Sequence, residues 1–195
     1  MHIEIAVEGP DALSAYASIS IAYRVAEVLD PDSPDSNGLL PFRSRTLHPP
    51  VLKDYDSLPG NHPLDWPARF DILNWGFVVA RSGRARVGGA VMVAQPSDIA
   101  MLEGYDELAL LWDIRVAPAV RHSGVGSALL AAGESWALAR GARVLKVETQ
   151  NTNVPACRFY ARHGFVLCAV HRGAYPEQQN EIQLLWYKDL AGLTG

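Results

Sequence analysis

Cysteines, clusters of basic charge and long apolar runs are all scarce in this chain, and each shortage removes a class of protein. Only two cysteines occur, Cys157 and Cys168, and their spacing fits no metal site. A reducing compartment keeps such residues as thiols, and a lone cysteine is more often a small buried hydrophobe than a nucleophile. No cluster of His, Cys and Asp has ligand spacing either, so no metal is expected. The formal net charge is −4 and the arginines are scattered, which leaves no basic stripe able to neutralise a nucleic-acid backbone. Nucleic acid is therefore not an expected partner. Every apolar run is too short for a membrane span, and the opening "MHIEIAVEG" has neither the basic start nor the continuous apolar stretch of a signal peptide. No membrane association and a cytoplasmic location are the expectations. Repeats and low-complexity tracts are also missing.

What remains is a chain of 195 residues, 49% apolar and 19% charged, long enough for one well-cored domain spanning 1–195. Residues 1 to about 65 read as irregular: a strand-like "HIEIAVEG", a mixed "ISIAYRVAEVLD", then "DPDSPDSNGLLP" and "LHPPVLKDYDSLPGNHP", both of which read as loop. From Trp66 the signals sharpen. "NWGFVVARSGRARVGGAVMVAQ" reads as a hairpin turning at a glycine, and "ELALLWDIRVAP" as a strand covered on both faces and ended by Pro118. "GSALLAAGESWALARG" carries Leu129, Leu130, Trp136 and Leu138 among good helix formers, with Gly141 as its stop. Then come a strand "RVLKVETQ", a short helix "NVPACRFYARHG" capped by Asn153 and closed by Gly164, and two strands, "FVLCAVHR" and "EIQLLWYKD". Strand–helix–strand units imply parallel pairing and hairpins imply antiparallel edges. The expected fold is α/β, a mixed (α+β) sheet of about seven strands with helices on both faces. Edge strands such as "EIQLLWYKD" are candidates for pairing across a homodimer interface.

Between the long strand and the Ala/Leu-rich helix lies "RHSGVGS", residues 121–127. A strand running into a glycine-rich turn at a helix amino terminus presents unpaired N–H groups and the positive end of the helix dipole, which suits a phosphate. Glycines at 124 and 126 allow the backbone to approach an anion closely, and Arg121 adds a charge. Neither common nucleotide motif is present: no Lys-Ser/Thr pair follows at P-loop spacing, and the third glycine of the dinucleotide fingerprint is missing. By composition alone a tight turn and a phosphate cradle both stay open.

The wider pattern narrows this. Val116, Pro118, Arg121, Gly124 and Gly126, then Asn153, Ala156, Phe159, Tyr160, Gly164 and Phe165, make a combination that resembles the GNAT superfamily of acetyl-CoA-dependent N-acetyltransferases. The resemblance covers about residues 70–188, and "VETQNTNVPACRFYARHGFVLCAV", "NEIQLLWYKDL" and "VLKDYD" look like its streptothricin acetyltransferase branch, which detoxifies a cationic antibiotic. It implies a cofactor-binding core at 70–188, an acceptor-side part at 1–65, and splayed parallel strands at the cofactor site. By the same resemblance, the backbone of Ile114, Arg115 and Val116 pairs with the pantetheine arm. The amides of Arg121, His122, Ser123, Gly124, Val125, Gly126 and Ser127 hold the pyrophosphate, and Asn153, Ala156, Phe159 and Tyr160 complete the acetyl-CoA site.

Acyl transfer to an amine needs a neutral amine, a stabilised oxyanion and a proton for the departing thiolate. The Val116 N–H is the candidate oxyanion donor, and the resemblance assigns the proton to Tyr160, whose alternative reading is a packed tyrosine with a satisfied hydroxyl. Asp113 and Glu148 sit in otherwise apolar strands, where a carboxylate needs a partner or a function. Each either receives the substrate ammonium or relays its proton through water, or else anchors a loop. His122 is expected to contribute its amide, His163 to favour a helix dipole, and the five tryptophans to pack. The residues of "KDYD" are candidates for lining an acceptor pocket for a cation. The expected function is acetyl transfer to a primary amine of a small cationic molecule. The alternatives are a protein amino terminus or lysine as acceptor, or a non-catalytic acyl-CoA-binding module.

Overall fold

The computed structural model describes residues 2–178 and 180–193; Met1, Gln179 and the last two positions of the expected 1–195 domain lie outside the described residues. The elements in chain order are β1 (Glu4–Glu8), α1 (Leu13–Ala17), β2 (Tyr23–Pro34), β3 (Phe42–Lys53), β4 (Gly76–Ser82), β5 (Ala85–Val93), β6 (Leu108–Val116), α2 (Val125–Leu138), β7 (Val144–Gln150), α3 (Val154–Arg162), β8 (Val166–Arg172) and β9 (Ile182–Asp189). Short 3-10 turns lie between several of them, including Tyr55–Ser57, Pro63–Ala68 and Pro118–Val120. Seven strands make a mixed sheet, and β2 and β3 form a ribbon of their own. The α/β class read from the sequence is the observed one. Among the described residues no helix is long and apolar enough to cross a membrane.

Two compact units emerge. The first comprises Met1–Ala22, Asp54–Leu145 and Leu190–Gly195; the second comprises Tyr23–Lys53 and Lys146–Asp189.

In the first unit β1, β4, β5 and β6 follow one another as antiparallel neighbours. The β4–β5 hairpin turns at Gly83, whose φ of 58° is a left-handed conformation suited to glycine. Phe77, Val78, Val79 and Ala80 on β4 and Ala90–Val93 on β5 are fully buried, so these strands read as continuous apolar runs because both of their faces are covered. Alternation assigns the covers. A Cβ added at Gly76 would lie 2.3 Å from the Trp136 ring of α2, and one at Gly89 would lie 2.7 Å from the Tyr16 ring of α1. The sheet of this unit therefore carries α2 on one face and α1 on the other. The expectation of helices on both faces holds here.

The β5–β6 register breaks once. Val91 pairs with Asp113 and the next residue, Met92, pairs with Leu111, so Trp112 is the extra residue of a β-bulge. Trp112 joins Trp66, Phe70 and Trp75 in an aromatic cluster, with ring centroids 5.2 Å from Phe70 and Trp75 and 6.2 Å from Trp66.

In the second unit the strand order is β7, β9, β8, with β8 and β9 antiparallel. This corrects the reading of "EIQLLWYKD" as an edge strand: β9 is flanked on both sides, and Leu184, Leu185 and Trp186 are buried accordingly. The edge is β8. A second correction concerns "DPDSPDSNGLLP" and "LHPPVLKDYD", read as loops. Residues 30–34 belong to β2 and residues 47–53 to β3, two twelve-residue strands joined by the turn between Pro34 and Phe42. Pro31, Pro34, Pro49 and Pro50 are tolerated because a two-stranded ribbon leaves one edge of each strand free of ladder bonds, and the register shifts between Val25 and Glu27 and between Leu29 and Pro34.

Candidate active site

β6 ends at Val116, two residues before Pro118, which has no N–H to continue a ladder, and the chain passes through Arg121–Gly124 into α2. His122 (φ 64°) and Gly124 (φ 89°) are both left-handed. Gly124 is the N-cap of α2, and no side chain caps the first turn. A glycine N-cap brings no side-chain acceptor of its own to the positive end of this fourteen-residue helix's dipole. A Cβ at Gly124 would meet nothing within 4 Å, so the space in front of this turn is open. Val125 is buried and anchors the turn, Gly126 is half-buried, and His122, Ser123, Gly124 and Ser127 are exposed.

The Arg121 side chain is tied to backbone carbonyls. Its Nε donates to the Val116 carbonyl at 3.0 Å, and its Nη2 donates to the carbonyls of Ala22 (3.0 Å) and Ser20 (3.3 Å). The guanidinium braces the backbone of the turn, and Ser123 Oγ adds a 2.6 Å bond to the Val120 carbonyl.

Upstream of the turn, Asp113 and Arg115 share a face of β6. The bulge at Trp112 sets that face, and the register places Arg115 opposite Gly89, against Tyr16. Arg115 is almost wholly buried: its Nε and Nη2 donate to Asp113 Oδ2 at 2.8 and 2.7 Å, and its Nη1 and Nη2 donate to the two oxygens of Asp56 at 2.6 and 2.8 Å. A further bond reaches the Ile19 carbonyl at 3.3 Å. Burial holds the Asp113 carboxyl above the ordinary carboxylate range, although Arg115 pulls the other way, and the nearby Asp56 charge adds to the rise. Burial also opposes the charge on Arg115, but the two aspartates outweigh it and keep the guanidinium protonated. Burial, reinforced by Asp113, pushes the Tyr16 hydroxyl well above its ordinary value. Asp56 belongs to the "KDYD" segment, and Asp54 of the same segment caps the Tyr55–Ser57 turn by accepting from the Asp56 N–H at 3.1 Å.

In the second unit Glu148 lies on β7 among neutral donors. The Tyr175 hydroxyl and, at 3.4 Å, Gln150 Nε2 donate to its Oε1, and Gln183 Nε2 donates to its Oε2 at 2.7 Å. Asn153 caps α3, its side chain accepting from the Ala156 N–H at 3.3 Å, and Pro155 occupies the first turn. Gly164 (φ 83°) ends the helix, as the sequence indicates. Tyr160 is buried, with its ring between Phe159 and Phe165, each 5.3 Å away centroid to centroid. His163 closes α3 with its ring Nδ1 2.7 Å from the Phe159 carbonyl. Cys157 is buried, burial pushes its thiol up to about 12, and its sulfur lies 3.4 Å from Thr149 Oγ1. Such a thiol carries no nucleophilic thiolate at neutral pH.

The structure thus gathers Asp113, Ile114, Arg115, Val116 and the 121–127 turn in the first unit, and Glu148, Asn153, Ala156, Phe159 and Tyr160 in the second. Sequence reasoning missed the ion pairing of the Arg115 side chain and the parts played by Tyr16, Tyr175 and Gln183. A signal existed for Arg115, because residues i and i+2 share one face of a strand and Asp-x-Arg reads as a pair.

Residues 50–165 match the Acetyltransferase (GNAT) family, and the chain belongs to that family. Streptothricin acetyltransferase A of Bacillus subtilis (strain 168) is 40% identical over 91 residues, covering 46% of this chain and 53% of the relative; the streptothricin acetyltransferase of Escherichia coli is 36% identical over 86 residues, covering 43% and 49%. Those alignments span about half the length of these curated relatives. Among solved structures, nourseothricin acetyltransferase matches with a TM-score of 0.73 at 23% identity over 97% of this chain and 99% of the other. A protein from Bacillus anthracis str. Ames, solved in complex with acetyl coenzyme A, matches with a TM-score of 0.74 at 23% identity over the same shares. Both establish the likeness of fold.

Proposed function

We propose that this chain is an acetyl-CoA-dependent N-acetyltransferase whose acceptor is a primary amine of a small cationic molecule of the streptothricin kind. The observation that carries the reading is the glycine-led amino terminus of α2, with no side-chain cap and with open space at Gly124, directly after the bulged strand β6 of a GNAT-family chain. A pyrophosphate suits that place, since the positive end of the helix dipole meets open space at a glycine N-cap that brings no side-chain acceptor of its own.

Bound acetyl-CoA supplies the acetyl group as a thioester. The amides of residues 121–127 hold its pyrophosphate, with Arg121 fixing the shape of the turn, and the backbone of Ile114, Arg115 and Val116 pairs with the amides of its pantetheine arm. The Val116 N–H donates to the carbonyl oxygen as that atom gains negative charge. The first turns of α3, through Asn153, Ala156 and Phe159, line the cofactor, and the Tyr160 hydroxyl gives its proton to the departing sulfur. Glu148 receives the acceptor's ammonium and relays one proton from it through water, leaving the neutral amine that forms the new C–N bond as the C–S bond breaks; the second proton lost by the nitrogen replaces the one Tyr160 gives to the sulfur. Asp113, tied to Arg115, serves as an anchor rather than as the base. The two thiols, Cys157 and Cys168, fit work in the reducing cytoplasm.

The test is coenzyme A release from acetyl-CoA across streptothricin, polyamines, aminoglycosides and short peptides. Turnover is expected with the cationic antibiotic. Tyr160→Phe should lower kcat about a hundredfold and leave the KM for acetyl-CoA within about twofold. Acetyl-CoA binding with no amine acetylated would overturn the reading in favour of a non-catalytic module, and turnover with peptides alone would move the acceptor to protein.

A further inference from the structure

The geometry points to Tyr175 as the positioning residue that aims Glu148 at the acceptor's ammonium, an inference that rests on the function proposed above. Tyr175 lies in the segment between β8 and β9, after Gly173, whose φ of 78° turns the chain. Its neighbours Gly173, Ala174, Pro176 and Glu177 are exposed, whereas Tyr175 is half-buried and turned onto Glu148. The hydroxyl donates to Glu148 Oε1 and accepts from Gln150 Nε2 at 3.0 Å. Gln183 Nε2 holds the other carboxylate oxygen at 2.7 Å. Further along the same segment, Lys53 at the end of β3 donates to Gln178 at 2.7 Å and pairs with Glu181. The segment is therefore fastened where it delivers Tyr175.

Three neutral donors fix the direction of a carboxylate without cancelling its charge. An arginine in the place of Tyr175 would both orient and neutralise Glu148, as Arg115 does for Asp113. The tyrosine orients and leaves the negative charge available, and the ligand chemistry that balances it is a primary ammonium. Discrimination against neutral acceptors follows from the same arrangement, since a neutral group leaves the charge uncompensated.

The experiment is steady-state kinetics of wild type, Tyr175→Phe, Glu148→Gln and the double variant with the amine on which the wild type turns over, beside unfolding midpoints for all four. Tyr175→Phe should raise the KM for the amine about tenfold, the scale of one hydrogen bond to a charged group, with kcat and the KM for acetyl-CoA within about twofold. In the Glu148→Gln background the same substitution should change the amine KM by less than about twofold, because the tyrosine acts through that carboxylate. Additive effects in the double variant overturn the inference. So does a fall in kcat or in acetyl-CoA affinity that tracks the unfolding midpoint, and so does an unchanged amine KM in a working enzyme. A wild type that acetylates no amine overturns the functional reading first, and this inference with it.

Discussion

Asp113 and Glu148 look alike in sequence, each the single carboxylate of its strand, yet the structure treats them in opposite ways. Asp113 faces Arg115 two residues along the same strand face, and the pair is buried with Asp56 completing the network. Glu148 has Gln150 at the corresponding position, and its other partners, Tyr175 and Gln183, are neutral as well. An ion pair sealed in this way is a fastening, because breaking it leaves a charge stranded in low dielectric. A carboxylate held by neutral donors keeps its charge uncompensated, which is what the proposed ammonium receptor requires. The side chain two places further along the strand separates the two outcomes.

The sharpest way to break the contrast is Arg115→Met, which strands two aspartates. It is expected to cost about 3–5 kcal/mol in denaturant unfolding, and a loss below about 1 kcal/mol would remove the fastening role. A smaller effect separates the two carboxylates. Asp113→Asn should cost about 1–3 kcal/mol and leave the amine KM close to that of wild type, whereas Glu148→Gln should cost about 1 kcal/mol or less and raise the amine KM about tenfold. Kinetics and urea midpoints on the two variants, measured together, check this, and a reversed pattern would exchange the roles.

The smallest effect is in pH dependence. Burial keeps the Asp113 proton bound in the folded protein to a higher pH than in the unfolded chain. Its contribution to stability therefore falls as pH rises from the ordinary carboxylate range through the raised value. Glu27 has the opposite sign: its bonds with Arg158 lower its carboxyl, so its contribution is present above the ordinary range and lost as pH falls. Urea midpoints across that range should decline less with rising pH in Asp113→Asn and fall less on acidification in Glu27→Gln.

Much of this was legible in the sequence. The runs that became β4 to β9, α2 and α3 announce themselves by apolar periodicity, by Asn153 before α3 and by Gly141 and Gly164 after the helices. The β2–β3 ribbon was hidden because prolines and aspartates in strands argue for loops, and only the absence of a second neighbour on each strand makes them acceptable. α1, five residues long, is too short to show a period. The turn at 121–127 was visible from its glycines and its place between strand and helix. The bracing role of Arg121 was not, since its carbonyl partners at Ser20 and Ala22 lie about a hundred positions away in sequence. Tyr175 was missed for a similar reason, because nothing local relates it to position 148.

The extra residue at Trp112 divides β6 into two reading frames. Before it, Leu111 sits opposite Met92, whose sulfur lies where a Cβ of Gly133 would reach, so that position addresses α2. After it the parity is reversed: Asp113 and Arg115 address Tyr16, and Ile114 and Val116 fall on the face that Leu111 occupied. Deleting one residue there would put the frames back in phase and turn either the apolar half or the charged half of the strand toward the wrong helix. The direction in which Asp113 and Arg115 face is thus set by one extra backbone residue, which no exchange of one side chain for another could reproduce.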